Sequence, residues 1–414
     1  MSAFRLLLLS TLGAFANYAP LLPVVPVWAA HGGASSAGLG ATTGVTMATT
    51  VGAQFAMRRL IPRFGLRRLA AAGSLLMGLP TFGYVVSDAL APVLAVSAVR
   101  GVGFGMVTVA GSALTAVLVP AERRGRAVGL YGAAIGVPQL VGLPLGLWAA
   151  EHLGFTAVFV VAALLSVAAA PLAWAIREPD ASASATATAS ADSTAARPVP
   201  PHMPGAGREL VRPTALMVAA AIALGVLSAF LALTPGVSSA TVSGALFLLP
   251  AGITAGRWAA GHWSDRHGAG GLQLPSAAAS ALGLGALAAS AAGGSAAGVL
   301  AGAALYGLGF GALQNDTLSV MFLHTDAHRA GTVWNVAYDG GTGIGSFGGG
   351  MVSHATGVPG AFATAAAVLA ATTAAAVRRR RAAGGTASAH EVTAASAKVP
   401  RPGGEASTCS RDRR

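Results

Sequence analysis

The chain has 414 residues, 54% of them hydrophobic and 10% charged, with a net charge of +12 and a mean hydropathy of +0.65. So little polar surface cannot cover a water-soluble fold of this length, and the composition points to a membrane protein. A charge of +12 would also fit a nucleic-acid binder, but the basic residues are spread in a pattern that reads as membrane topology.

A helix needs about 20 apolar residues to cross roughly 30 Å of hydrocarbon. Twelve such runs are predicted, at about 4–28, 37–57, 69–87, 91–118, 127–149, 155–176, 213–233, 240–260, 273–292, 295–322, 331–353 and 357–377. The first has Arg5 ahead of an apolar stretch, as a signal peptide would, but it continues through Pro20, Pro23 and Pro26 and is read as a retained helix. Arginines fill every alternate loop: Arg58, Arg59, Arg63, Arg67 and Arg68; Arg123, Arg124 and Arg126; Arg177, Arg197, Arg208 and Arg212; Arg257 and Arg266; Arg329; and Arg378 to Arg381. The loops between, around His31, Asp88, Glu151, Ser238, Gly294 and Ala355, have no Lys or Arg. The positive-inside rule then places both termini in the cytoplasm of a multi-pass protein of the plasma membrane. Cys409 is the one cysteine, so no internal disulfide is expected.

The predicted domains are a six-helix bundle at 1–176, a disordered cytoplasmic linker at 177–212 rich in Ala, Ser and Thr, a second bundle at 213–377, and a disordered basic tail at 378–414. The two bundles are copies. RAVGLYGAAIGVPQLVGLPLG at Arg126 aligns without a gap with RAGTVWNVAYDGGTGIGSFGG at Arg329, an offset of 329 − 126 = 203. PRFG at Pro62 meets DRHG at Asp265 with the same offset, and RGVGFG at Arg100 meets YGLGFG at Tyr306 with an offset of 306 − 100 = 206. The glycines Gly101, Gly103 and Gly105 are read as faces where helices approach closely, since no strand precedes them as a dinucleotide fingerprint would require.

Two six-helix halves, a repeated basic loop after helices two and eight, an arginine in helix four and a Gly/Pro pattern in helix five occur together here. In this the chain resembles the twelve-helix transporters of the major facilitator superfamily, and is similar to its bacterial drug/proton antiporters. The resemblance implies an all-α membrane fold of two pseudo-symmetric bundles. It implies a cytoplasmic gate at Arg63, Gly65, Arg67 and Arg68 in the first half, with Pro62 where the family has an acid, and at Gly261, Asp265, Arg266 and Gly268 in the second. The interface pattern of helix five maps to Gly136, Pro138, Gly142, Pro144 and Gly146. Helices one, four, seven and ten would surround a cavity lined by Asn17, Tyr18, Arg100, Phe104, Phe230, Tyr306, Phe310 and Gln314.

An ionisable group at the bilayer centre costs about 2.5–3.5 kcal/mol on an insertion scale, so it should face a cavity or a partner. Arg100 and Asp339 are the opposite charges predicted nearest the midplane. A pair that forms in one state and parts in the other would couple protonation to alternating access, and the family's helix-four arginine is associated with proton transfer. The expected function is proton-coupled efflux of a small lipophilic or amphipathic compound. Uptake of a metabolite is the alternative within transport, and a non-transporting sensor lies outside it. Partners are the substrate, protons and the lipid bilayer, with no nucleic acid. A monomer suffices because one chain holds both bundles. No nucleophile, metal cluster or phosphate loop is visible in the sequence, so no enzyme, metal or cofactor is expected.

Overall fold

Serine and glycine set the ends of the helices, and they do so twice. Ser35 caps one helix by accepting from Gly38 N at 3.3 Å, and Ser238, 203 residues later, does the same for Thr241 N at 3.3 Å. Left-handed glycines close the turns at Gly33 and Gly236, Gly65 and Gly268, and Gly154 and Gly357, each pair 203 residues apart.

In the computed structural model, which describes residues 2–120, 124–177, 206–325 and 327–396, these signals delimit the helices. Helix α1 spans Ala3–His31, α2 Ser36–Phe64, α3 Leu66–Thr81 with a single further turn at Gly83–Val86, α4 Leu90–Leu118, α5 Arg124–Leu153 and α6 Phe155–Trp174. Helix α7 spans Ala206–Phe230, α8 Ser239–His267, α9 Gln273–Ala292 and α10 Ala296–His324. The run Ala327–Ser396 is interrupted at Gly357, with φ 74°, which divides it into α11 (327–356) and α12 (358–396). No strand occurs among the described residues. This is an all-α membrane protein.

Contacts group Met1–Thr373 as one compact unit and Ala374–Arg414 as a second. The second is helical to Ser396, into the segment from Arg378 that composition assigns to a disordered tail. Its alanines and arginines are strong helix formers, which explains the difference. Of the predicted linker at 177–212, residues 178–205 lie outside the described residues and 206–212 already form the start of α7.

Among the described residues ten helical runs are long and apolar enough to span a bilayer, the last of them, Arg329–Arg379, being the one divided at Gly357. Helix α2 is not among them, because threonines lower its hydropathy. Thr42, Thr46 and Thr50 offset this by donating to carbonyls one turn back, at 2.7–2.8 Å, which satisfies each hydroxyl within the helix. Helices α2 and α8 also continue about seven residues past the predicted apolar runs, so Arg58, Arg59, Arg63, Asp265 and Arg266 extend helices instead of forming loops. Charged residues past the membrane surface keep the helix solvated.

Glycine packs each half in the same way. A side chain on Gly101 or Gly105 of α4 would strike the carbonyls of Thr46 or Thr50 in α2, and one on Gly307 or Gly311 of α10 would strike those of Leu249 or Ile253 in α8. Gly103 meets the Gly73 carbonyl in α3 as Gly309 meets that of Ser276 in α9. The backbones therefore touch, as in small-residue membrane packing. Between the halves, α2 lies along α11, α5 along α8 and α1 along α7. The α2–α11 seam has Gly40 and Gly44 facing Ser346, Phe347 and Gly343, and Ser346 Oγ donates to the Gly40 carbonyl at 2.8 Å.

Candidate functional site

Polar side chains inside an apolar bundle must find partners, and in the first half they converge on Arg100. It is 5% exposed. Its Nη2 donates to Asn17 Oδ1 at 3.0 Å and its Nη1 to Tyr84 Oη at 3.2 Å. The guanidinium also lies 5.5 Å from the centre of the Tyr84 ring, within cation–π range. Asn17 in turn donates to Thr81 Oγ1 at 3.2 Å and to the Ala162 carbonyl at 2.9 Å, and Tyr84 is bonded to Ser97 at 2.8 Å. This network joins α1, α3, α4 and α6. Arg100 is thus held entirely by neutral groups of its own half.

Asp339, on α11, lies with its partner on the other half. Gln54 Nε2 of α2 donates to its Oδ2 at 2.6 Å, across the boundary between the halves. The acid is 5% exposed. It does not ion-pair with Arg100 in this structure; each charge is instead hydrogen-bonded to neutral side chains, and Tyr18 is in electrostatic range of both. Tyr18 stacks on Phe104, with centroids 4.0 Å apart and planes 7° apart.

The second half builds a different cluster. Arg257 of α8 donates through Nε to Gln314 Oε1 at 2.6 Å. Tyr338 of α11 is in electrostatic range of both Arg257 and Asp339, and it continues a ring stack of Tyr306, Phe310, Tyr338 and Trp334 at spacings of 5.6, 6.0 and 5.6 Å. Tyr306 Oη donates to the Ala220 carbonyl at 2.8 Å.

Sequence reasoning placed Arg257 among the loop arginines. The structure corrects this: it lies inside α8, ten residues or about 15 Å from the end at His267. Gln54, Tyr84, Tyr338 and Trp334 were not singled out. The repeat carried a signal for Gln54 and for Arg257, since both are polar, lie in predicted spans and stand 257 − 54 = 203 residues apart.

Of the eight expected cavity residues, Asn17, Phe230, Tyr306, Phe310 and Gln314 are each at most 1% exposed and sit within packed helices. Tyr18 and Arg100 line a cavity of about 20 Å³ with Thr43, Thr46 and Ser97, large enough for a water molecule. A larger groove of about 460 Å³ runs outside α1, α5 and α6, past Leu12, Val137, Pro138, Leu145 and Trp148. Val137 and Leu145 are half exposed, so this apolar face is suited to lipid chains.

Gly142 and Gly146 pack on Ala19 and Pro20 of α1, inside their own half, and Gly136 has open space around it. Pro144 is half-buried between them. At the helix ends, Arg63, Arg68, Asp265, Arg266 and Gly268 are exposed, while Gly65, Arg67 and Gly261 are half-buried. Among the described residues Asp265 and Arg266 have no hydrogen-bond or ion-pair partner.

The comparison with known families is decided over most of the length: the profile of the Major Facilitator Superfamily matches residues 7–338. The chain belongs to the Major Facilitator Superfamily. Two curated relatives, the uncharacterised MFS-type transporters MT1926 and Rv1877 of Mycobacterium tuberculosis, are each 32% identical over 130 residues. That match covers 31% of this chain and 18% of each relative. Among solved structures, a bacterial homolog of the human lysosomal transporter Spinster, in an inward-facing and occupied conformation, superposes with a TM-score of 0.70 at 14% identity, over 91% of this chain and 96% of that one. The nucleoside transporter NupG gives 0.68 at 11% identity, over 91% and 99%. At these identities the two share the superfamily fold, and the chain is a multi-pass membrane protein of that superfamily.

Proposed function

We propose that this transporter is a proton-coupled exporter of a small amphipathic organic compound, in the plasma membrane with both termini cytoplasmic, working as a monomer. The observation that carries the reading is the Gln54–Asp339 bond. It is the one side chain to side chain hydrogen bond between the halves among those described, and its acceptor is a buried carboxylate. An ionised acid accepts such a bond roughly twice as strongly as a neutral one. Protonating Asp339 therefore weakens the tie between α2 and α11, and losing the proton restores it, which links proton binding to the relative movement of the halves. Arg100, fixed in its neutral network, does not pair with this acid, and Tyr18 is in electrostatic range of both.

The arginine distribution supports the orientation. With the basic ends inside, the seam at Gly40 and Ser346 lies toward the outside, and the unpartnered Asp265 and Arg266 lie inside. That arrangement supports a state closed outside and open to the cytoplasm.

The test is transport in proteoliposomes under an imposed pH gradient, with wild type beside Asp339→Asn. The expected result is accumulation against the compound's gradient by wild type, its loss in the variant, and survival of exchange at equal pH. Equal gradient-driven accumulation by both proteins would remove Asp339 from coupling. Accumulation in the same direction as proton flow would make the protein an importer.

A further inference from the structure

Arg257 and Asp339 take up related places in the two halves. By the 203-residue repeat Arg257 is the counterpart of Gln54, and the counterpart of Asp339 is Gly136. In one seam, α2 with α11, the polar side chain meets a carboxylate. In the other, α8 with α5, an arginine stands where symmetry supplies a glycine with open space around it.

The charge of Arg257 has no counter-charge. Among the described residues no carboxylate pairs with it, and its neighbours are Gln314 and Tyr338. It is exposed although it lies about 15 Å from the end of its helix. An unpaired charge exposed at that depth of a membrane span calls for a water-filled or ligand-holding space. Its Nε is engaged by Gln314 Oε1, which leaves both terminal nitrogens available and fixes the Gln314 amide with its Nε2 toward other partners. That Nε2 is buried without a hydrogen bond, and so is Trp334 Nε1, next in the ring stack after Tyr338. Both of these unsatisfied groups are donors. An unpaired guanidinium and orphan donors beside an aromatic stack call for a ligand that brings negative charge, acceptor oxygens and an apolar body.

We propose that Arg257 and Gln314 receive the oxyanion of the transported compound, which is therefore an amphipathic organic acid whose apolar part lies against the half-buried rings of Tyr338 and Trp334. This rests on the transport reading and names its substrate class. The bound oxyanion takes the place beside Gly136 that the Asp339 carboxylate occupies in the other seam.

Three isosteric probes separate charge from shape: 2-naphthoate, 2-naphthol and 2-naphthylmethylammonium. Their binding is measured on purified full-length protein in phosphatidylcholine nanodiscs without any pH gradient, by thermal shift and by equilibrium binding. Wild type is expected to bind naphthoate about ten-fold or more tightly than naphthol. Arg257→Gln should bring naphthoate down to the naphthol level, Arg257→Lys should keep part of the preference, and Arg257→Glu should turn it toward the ammonium. An unaltered melting temperature of the ligand-free variants shows that they fold.

Equal binding of the three probes by wild type, or naphthoate binding untouched by Arg257→Gln, would overturn the proposal. So would nanodiscs containing phosphatidylglycerol that abolish naphthoate binding at every probe concentration, since the site would then belong to a lipid headgroup. Naphthoate that binds through Arg257 but is not driven by a proton gradient would leave this assignment standing and sink the proton-coupled reading. Gradient-driven export without preference for charge would do the reverse.

Discussion

The two halves agree in their glycines and differ in their polar side chains. Gly101, Gly103 and Gly105 touch the same neighbours as Gly307, Gly309 and Gly311 touch one repeat later, and Gly142 sits on Ala19 as Gly345 sits on Ile222. The polar positions do not repeat. Arg100 bonded to Asn17 corresponds to Tyr306 bonded to the Ala220 carbonyl, so one contact between the fourth and first helices of a half is ionic and the other neutral. Gln54 becomes Arg257, and Gly136 becomes Asp339. Duplication kept what brings backbones together, and divergence fell on the polar groups inside the membrane spans. The scaffold is symmetric and the site is not.

Breaking the shared part should have the largest effect, and an equal one in both halves. Gly101→Leu and Gly307→Leu each force a side chain against a carbonyl that cannot move aside. Each is expected to cost more than the roughly 1–3 kcal/mol of ordinary overpacking and to lower the yield of folded protein sharply, read by size-exclusion profile and melting temperature. A mild effect in one half alone would show that the packing is less symmetric than the contacts.

Polar changes should separate the halves. Arg100→Ala leaves Asn17 Oδ1 and Tyr84 Oη short of a charged donor, so a loss of about 2–4 kcal/mol is expected. Tyr306→Phe removes one neutral hydrogen bond and should cost about 1 kcal/mol. Denaturation of both in the same nanodiscs checks the ratio. A comparable cost for the two would mean that the ionic network contributes little beyond its geometry.

Smallest of all should be Asp265→Asn. The acid is exposed and unpartnered in this state, so stability should stay within about 0.5 kcal/mol. If the residue belongs to a gate, the change should appear instead in transport rate, measured in the same proteoliposomes.

Much of this organisation was legible in the residues. The offset of 203 found from Arg126 and Arg329 is the offset of the caps at Ser35 and Ser238 and of the left-handed glycines. The apolar runs located each helix, because lipid demands long uninterrupted segments. Their ends were less legible, since arginines such as Arg58 and Arg59 end the apolar run while the helix itself continues to Phe64. That blurred boundary is why Arg257 was read as a loop residue. Asp339 and Arg100 stood out by charge, but their partners are neutral. Gln54, Asn17 and Tyr84 lie between 16 and 285 residues away in sequence from the group they bind, and only the packing of helices selects them.

The α2–α11 seam, where glycine lies against backbone, also has a mechanical meaning. Few side chains interlock there, so one helix is able to rock on the other about this seam as a hinge does about its pin. With a helix about 40 Å long, each degree of rocking moves the far end by about 0.7 Å. Bulk at Gly40 or Gly44 would thicken the pin, and the arc swept by the cytoplasmic ends of the helices would shorten with it.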